Sequence, residues 1–228
     1  MNLNEEYIQR TKEIEEFYNF LCFAEKIETY KINSKIYYLS NSFVVSSEFV
    51  KNLKAQFILL LYNLLESTVR CIISDVFDTV SDNHLKFEDL SMSLKKTFLE
   101  QEIKKDTSIK NIRNYFLEFV DKNENREIYL NIDEIDISGN IDMRQVRNLS
   151  EKVGFPNANI FSNKGVASSL LTIKNSRNNL AHGDFSFSNK GGIFTFSDLT
   201  KLKADTFAFL EELIRVQKNY IDKKMYLK

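Results

Sequence analysis

Residues 46–80, SSEFVKNLKAQFILLLYNLLESTVRCIISDVFDTV, contain neither glycine nor proline. Phe49, Val50, Leu53, Phe57, Leu60, Leu61, Leu64, Ile72 and Val76 recur there at three- and four-residue spacing, the period of a helix with a broad apolar face. Ser46 or Ser47 supplies an N-cap, because a serine hydroxyl accepts from backbone amides that the first turn leaves unpaired. The stretch therefore predicts one long helix running to about Val80, central to the core, and with it a mainly α protein.

Composition points the same way. The 228 residues include one Pro and six Gly, so few positions break a helix, and a turn-rich sandwich or barrel is disfavoured. At ~150 residues per domain the length allows about one and a half domains. No repeat, low-complexity tract or long linker divides the chain, so a single domain over residues 1–228 is the expectation. Apolar residues make up 43% and charged residues 28%, enough to build a core. A net charge of -1 and a pI near 6.2 exclude the basic footprint of a general nucleic-acid coat protein, so any phosphate recognition must be local.

Two cysteines, Cys22 and Cys71, give no disulfide framework, and two histidines, His84 and His182, give no clustered metal ligands. No cofactor and no metal are expected. The acidic amphipathic start lacks a signal-peptide pattern, and the apolar run Phe57–Leu65 is interrupted by Asn63, well below the ~20 residues of a membrane span. These features predict a cytoplasmic protein with no membrane partner.

Outward from the long helix, Leu3, Tyr7, Ile14, Phe17, Leu21 and Ala24 predict an amphipathic N-terminal helix, and residues 35–45 a small hairpin or extended connector. Basic helices are expected at about 87–105 and 108–121, the second behind a Thr107 or Ser108 cap. An irregular connector or short strand is expected at 126–140. Asp142 predicts the cap of a helix ended by Gly154, and a further helix should run from about Gly165 to Ala181 with Gly183 as its left-handed stop. Phe185, Phe187, Phe194 and Phe196 around Asn189-Lys190-Gly191-Gly192 predict a second hairpin, followed by a final helix capped by Ser197 or Asp198 and reaching about Lys224.

The chemistry concentrates in Lys174-Asn175-Ser176-Arg177-Asn178-Asn179-Leu180-Ala181-His182-Gly183. By spacing alone, Lys174, Arg177 and His182 read as cations favouring the negative end of a helix dipole before a glycine stop. They also suit RNA cleavage without a metal, in which the 2′-hydroxyl attacks the adjacent phosphorus. That reaction needs a base, an acid and cationic donors. His182 fits the proton-transfer role, since imidazole titrates near neutrality. Arg177 fits the charge role, because its planar fork pairs bidentately with phosphate, and Asn178 can position either group. Asn63, Glu66 and Arg70 form a polar stripe on the long helix. Buried charge there needs a partner, so Glu66 is a candidate to orient Arg177 or His182 or, alternatively, to pair with Arg70.

Other polar groups read more plainly. Asp133, Glu134, Asp136 and Asp142 are expected to be solvated, His84 to be a turn residue, and Cys22 and Cys71 to pack as small hydrophobes. Lys95, Lys96, Lys104, Lys105, Lys110 and Arg113 read as the wet face of two helices, with local RNA steering as the alternative.

The segment Arg177 to His182 resembles the R-x4-6-H motif of the HEPN superfamily, helical-bundle proteins many of which are ribonucleases of prokaryotic conflict systems. Asn178 matches the polar residue that follows the Arg, and Leu180-Ala181-His182-Gly183 is a frequent form of the motif's ending. Leu61–Glu66, Gly139–Asp142, Lys152-Val153-Gly154 and the closing helix after Phe196 extend the resemblance to an HEPN-like nuclease family of cyanobacterial conflict loci. It covers most of the chain from about residue 50, and less clearly residues 1–45.

The resemblance implies an HEPN-type bundle that acts as a metal-independent endoribonuclease in toxin-antitoxin or antiviral defence. It also implies a composite site between two copies of the chain. Two proton transfers with one motif histidine per chain point to the same homodimer. Arg177, His182 and Asn178 are the expected catalytic residues, with Glu66, Asn63 and Lys174 in support, RNA as substrate, and an antitoxin or defence-system protein as partner. The alternatives are a non-catalytic HEPN module that binds nucleotide or RNA or only dimerises, and a chain silenced by a partner nucleotidyltransferase.

Overall fold

The computed structural model describes residues 3–30, 38–40, 43–105, 127–135, 137, 139–156 and 159–228. Helix α1 spans Leu3–Tyr30, and strands β1 (Tyr38–Ser40) and β2 (Phe43–Val44) pair antiparallel as the expected small hairpin. Then follow α2 (Ser47–Asp82), α3 (Met92–Lys105), α4 (Met143–Val153), α5 (Lys164–Ala181), α6 (Phe187–Gly191) and α7 (Phe196–Asp222). The result is a mainly α bundle. The expected helix at 108–121 lies outside the described residues, as do Lys110, Arg113 and Asp136.

Helix α2 is the axis of the bundle. Ser46 caps it, its side chain accepting from the Phe49 amide at 3.1 Å. Sixteen of its side chains, from Val50 to Val80, are buried, and they occupy more than one face. A helix that is apolar over so much of its circumference has to be covered on several sides. Helices α1, α4, α5, α6 and α7 all pack on it. By length and composition α2 is apolar enough to cross a membrane, which the run count broken at Asn63 understates. Here 56% of its most apolar 18-residue window is buried inside the bundle.

Helix α1 lays Ile14, Leu21 and Ala24 into the core, and Phe17 stacks on Phe57 of α2. Its polar side is tied to α7, where Lys203 meets Glu15 at 2.7 Å and sits over the Tyr18 ring.

Three expectations are corrected. The basic helix begins at Met92, not 87. Phe87–Asp89 form a separate 3-10 turn, and fully buried Leu90 is extended where it pairs with Leu227. The final helix is capped by Thr195 with Asp198 reciprocating, two or more residues before the expected cap. The second hairpin does not form. Ser186 caps the short helix α6 instead, its side chain accepting from the Asn189 amide.

Gly191 explains that last result. A Cβ built there would lie 1.8 Å from the Lys51 carbonyl oxygen of α2, so the residue serves a helix–helix approach. Neither Gly191 nor Gly192 has the positive φ of a tight hairpin turn.

The connector before α4 is irregular as expected. Ile128, Leu130, Ile135, Ile137 and Ile141 are buried, and Gln101 of α3 bonds both the amide and the carbonyl of Asn131. Asp142 caps α4 and Gly154 ends it at φ 92°, so the connector enters its helix beside α5.

Candidate functional site

Helix α5 is capped by Asn163 and buries Val166, Ser169, Leu170, Ile173 and Ser176. That burial fixes the helix rotation and leaves Arg177 and Asn178 half-buried at its rim. The Arg177 guanidinium turns inward. Its Cζ stands 5.1 Å from the centroid of the Tyr62 ring, within cation–π range. Its Nη1 donates to Asn178 Oδ1 at 3.2 Å and makes a long 3.5 Å contact to the Gly139 carbonyl.

Gly139 belongs to a turn held from below by α2. Its amide donates to Glu66 Oε1 at 3.0 Å, and two residues on the Ile141 amide donates to the Tyr62 hydroxyl at 3.2 Å. Tyr62 and Glu66 are one helical turn apart, so both reach the same turn. Burial pushes the Tyr62 phenol above its usual range, and Glu66 adds to this, while the Ile141 hydrogen bond and the Arg177 charge oppose it; the net shift is upward and the phenol stays neutral. Gly139 adopts φ 73°, and a Cβ there would lie 3.3 Å from Arg177 Nη1. Between the two anchored amides, Asn140 extends its side chain to accept from Asn178 Nδ2 at 3.3 Å.

A second tie joins α5 to the start of α4. Lys174 Nζ lies 2.5 Å from Asp142 Oδ2, with both side chains mostly buried, while Asp142 Oδ1 caps the Gln145 amide. Burial raises the Asp142 pKa, but the Lys174 hydrogen bond and charge, together with the capped amide, outweigh it and hold the carboxyl below its usual value.

His182 closes the helix. Its backbone amide donates to the Asn178 carbonyl at 2.9 Å and Gly183 follows at φ 77°. The ring is exposed and makes no hydrogen bond or ion pair among the described residues.

An irregular turn thus meets the Arg-Asn-x-x-x-His end of a helix inside a helical bundle. The profile of the HEPN_MAE_28990-like HEPN family matches residues 1–226. The chain belongs to this HEPN family. The match includes α1 and the small hairpin, so the likeness extends further toward the N-terminus than residue 50. No curated protein and no solved structure matches the chain significantly.

The HEPN motif residues come together unevenly with those singled out for support. Glu66 does not meet Arg177 or His182 directly; it holds the Gly139 turn that carries Arg177. Its alternative partner Arg70 is exposed and pairs with Asp133. Asn63 is exposed, and no hydrogen bond joins it to the cluster among the described residues. The stripe is therefore largely a solvent face. Lys174 is engaged by Asp142, which corrects the expectation that Asp142 is solvated.

His84 stands at the far end of α2, about 30 Å along the helix axis from Tyr62, and pairs with Glu127 at 3.0 Å. Cys22 and Cys71 are partly buried, and Cys71 Sγ lies 3.4 Å from Glu6 Oε2. Among the described residues no group of three or more His, Cys, Asp or Glu side chains is arranged to hold a metal ion. Of the basic stretch, Lys95 and Lys104 donate to the carbonyls of Glu88 and Glu134, as residues of a helix's wet face do.

Sequence reasoning included Tyr62 and Asn140 in the segments Leu61–Glu66 and Gly139–Asp142 that carry the family likeness but gave neither a role. The available signals were a tyrosine one turn before Glu66 on the longest helix and a Gly-Asn turn immediately before a helix cap.

Proposed function

We propose that this HEPN protein is a metal-independent endoribonuclease, acting as a toxin or antiphage effector, with a composite active site formed by two copies of the chain. One observation carries the reading. Arg177 and Asn178 are held in place on the Gly139–Asn140 turn, while the ring of His182, one turn on, is exposed and makes no hydrogen bond or ion pair among the described residues. A cationic donor and an imidazole carried at one helix end are the kinds of group that phosphoryl transfer from an internal nucleophile requires.

In the proposed step a base takes the 2′-hydroxyl proton and the 2′-oxygen bonds to phosphorus. The bond from phosphorus to the 5′-oxygen breaks, and an acid protonates that leaving oxygen. The products are a 2′,3′-cyclic phosphate and a 5′-hydroxyl. Arg177 offsets the charge that develops on the phosphorane oxygens. His182 supplies one proton transfer and, because His84 lies at the other end of α2, His182 of a second copy supplies the other. An antitoxin or defence-system partner would restrain the activity.

Purified protein should cleave single-stranded RNA with EDTA present, leaving termini that require removal of a cyclic phosphate before ligation. His182→Ala should slow this by roughly 10²- to 10⁴-fold with unchanged melting, since the ring is exposed. Full cleavage by that variant, or by a protein that sediments strictly as a monomer, refutes the proposal.

A further inference from the structure

The hydrogen-bond directions around Arg177 have a chemical consequence for Asn140. A guanidinium has donors and no acceptor. Because Arg177 Nη1 points at the Asn178 side chain at 3.2 Å, Asn178 has to present its oxygen there. Its amide nitrogen is thereby turned toward Asn140, which has to present its own oxygen at 3.3 Å. The chain of donors leaves the two N–H groups of Asn140 Nδ2 without a protein acceptor among the described residues, on a side chain that is exposed.

The backbone around Asn140 is fixed for a residue in such an open position. The amide before it is held by Glu66 and the amide after it by the Tyr62 hydroxyl, two side chains of the central helix. Gly139 brings its own backbone close under the guanidinium. The two anchored amides hold the backbone of the turn, and the 3.3 Å bond from Asn178 orients the Asn140 side chain so that its nitrogen is directed away from Asn178.

We infer that Asn140 is a substrate-contacting residue whose side-chain N–H groups donate to a non-bridging oxygen of the same RNA phosphate that Arg177 binds. The inference rests on the ribonuclease reading above and assigns to the turn before α4 a share of the site that the α5 motif does not contain. Tyr62 and Glu66 are then positioning residues that act through this turn.

Two substitutions separate contact from scaffolding. Asn140→Asp keeps an acceptor for Asn178 Nδ2 but offers no donor and places a negative charge beside the phosphate. Asn140→Ala removes both groups. Binding of a short 3′-labelled single-stranded RNA by fluorescence anisotropy, single-turnover cleavage and thermal melting should be measured for the full chain and both variants.

A lost hydrogen bond to a charged group predicts roughly 10- to 100-fold weaker binding for Asn140→Ala, and a larger loss for Asn140→Asp. The loss should be uniform across RNA sequences, as for any phosphate contact, and melting should not change. If the aspartate variant binds and cleaves like the wild type while the alanine variant is impaired, Asn140 only braces Asn178 and the inference fails. It also fails if both variants match an active wild type, or if the loss depends on the base at one position. A wild type that neither binds nor cleaves RNA refutes the ribonuclease reading itself.

Discussion

Replacing Lys174 by Met tests how α5 is locked to the turn that carries Gly139 and Asn140. Lys174 and Asp142 keep only 13% and 9% of their side-chain surface, so the substitution leaves a nearly buried carboxylate without its cation. Removing one partner of a buried ion pair costs about 3–5 kcal/mol. The Asp142 carboxylate retains the Gln145 amide at 3.0 Å, and that charge-assisted bond offsets part of the loss, leaving about 2–3 kcal/mol. For a chain of this size such a loss lowers the melting temperature by roughly 4–12 °C.

The pH dependence fixes the mechanism. In the wild type the folded-state pKa of Asp142 is depressed, so its contribution is complete above the ordinary carboxylate pKa of about 3.9 and is lost as pH falls through the lower, folded value. In Lys174→Met the Lys174 hydrogen bond and charge no longer oppose burial, so the folded-state pKa shifts upward from its wild-type value and protonation relieves the variant as pH falls. The difference between the two proteins should be largest near pH 7 and shrink toward pH 4. Urea unfolding followed by circular dichroism at both pH values measures this. Lys174→Met with Asp142→Asn should recover most of the loss, since Asn also caps helices. A difference below about 0.5 kcal/mol at pH 7, the usual worth of an exposed pair, or one of equal size at both pH values, would refute the assignment of a buried pair.

Gly191→Ala should destabilise the protein by about 1–3 kcal/mol or more, because its Cβ would overlap the Lys51 carbonyl and force α6 off α2; unchanged thermal melting would contradict that close approach. The imidazole of His84 should titrate above its ordinary range, since Glu127 accepts from it and favours its charged form. Glu127→Gln should bring the pKa measured by NMR back toward about 6.5, and an unmoved value would count against the pairing.

Much of this architecture is legible along the chain where the deciding interactions are local. The caps of α2 and α4, the glycine ends of α4 and α5, and the apolar periods of α1 and α2 all involve residues within a few positions of each other. The segment 185–196 misleads because glycine has two uses. Alternating phenylalanines around Gly191-Gly192 have the form of a hairpin, yet the glycine is there to admit another helix's backbone, a contact made with Lys51. The start of α3 misleads for a similar reason, since Leu90 is held extended by Leu227, far away in sequence.

The candidate site divides along the same line. The sequence by itself determined the helical bundle, the placement of Arg177, Asn178 and His182 on the last turn of one helix, and the family likeness those residues carry. Helix period and cap chemistry act over three or four residues and leave their pattern in the string. Only the tertiary structure decided that Arg177 lies on Tyr62, that Glu66 works through Gly139, that Lys174 is engaged by Asp142, and that exposed Asn140 turns its oxygen to Asn178. Those contacts join residues 32 to 115 positions apart, and they form because burial of α2, α4 and α5 against one another sets which side chains meet. No local pattern encodes that meeting, since each partner taken alone is an ordinary polar residue on an ordinary helix or turn.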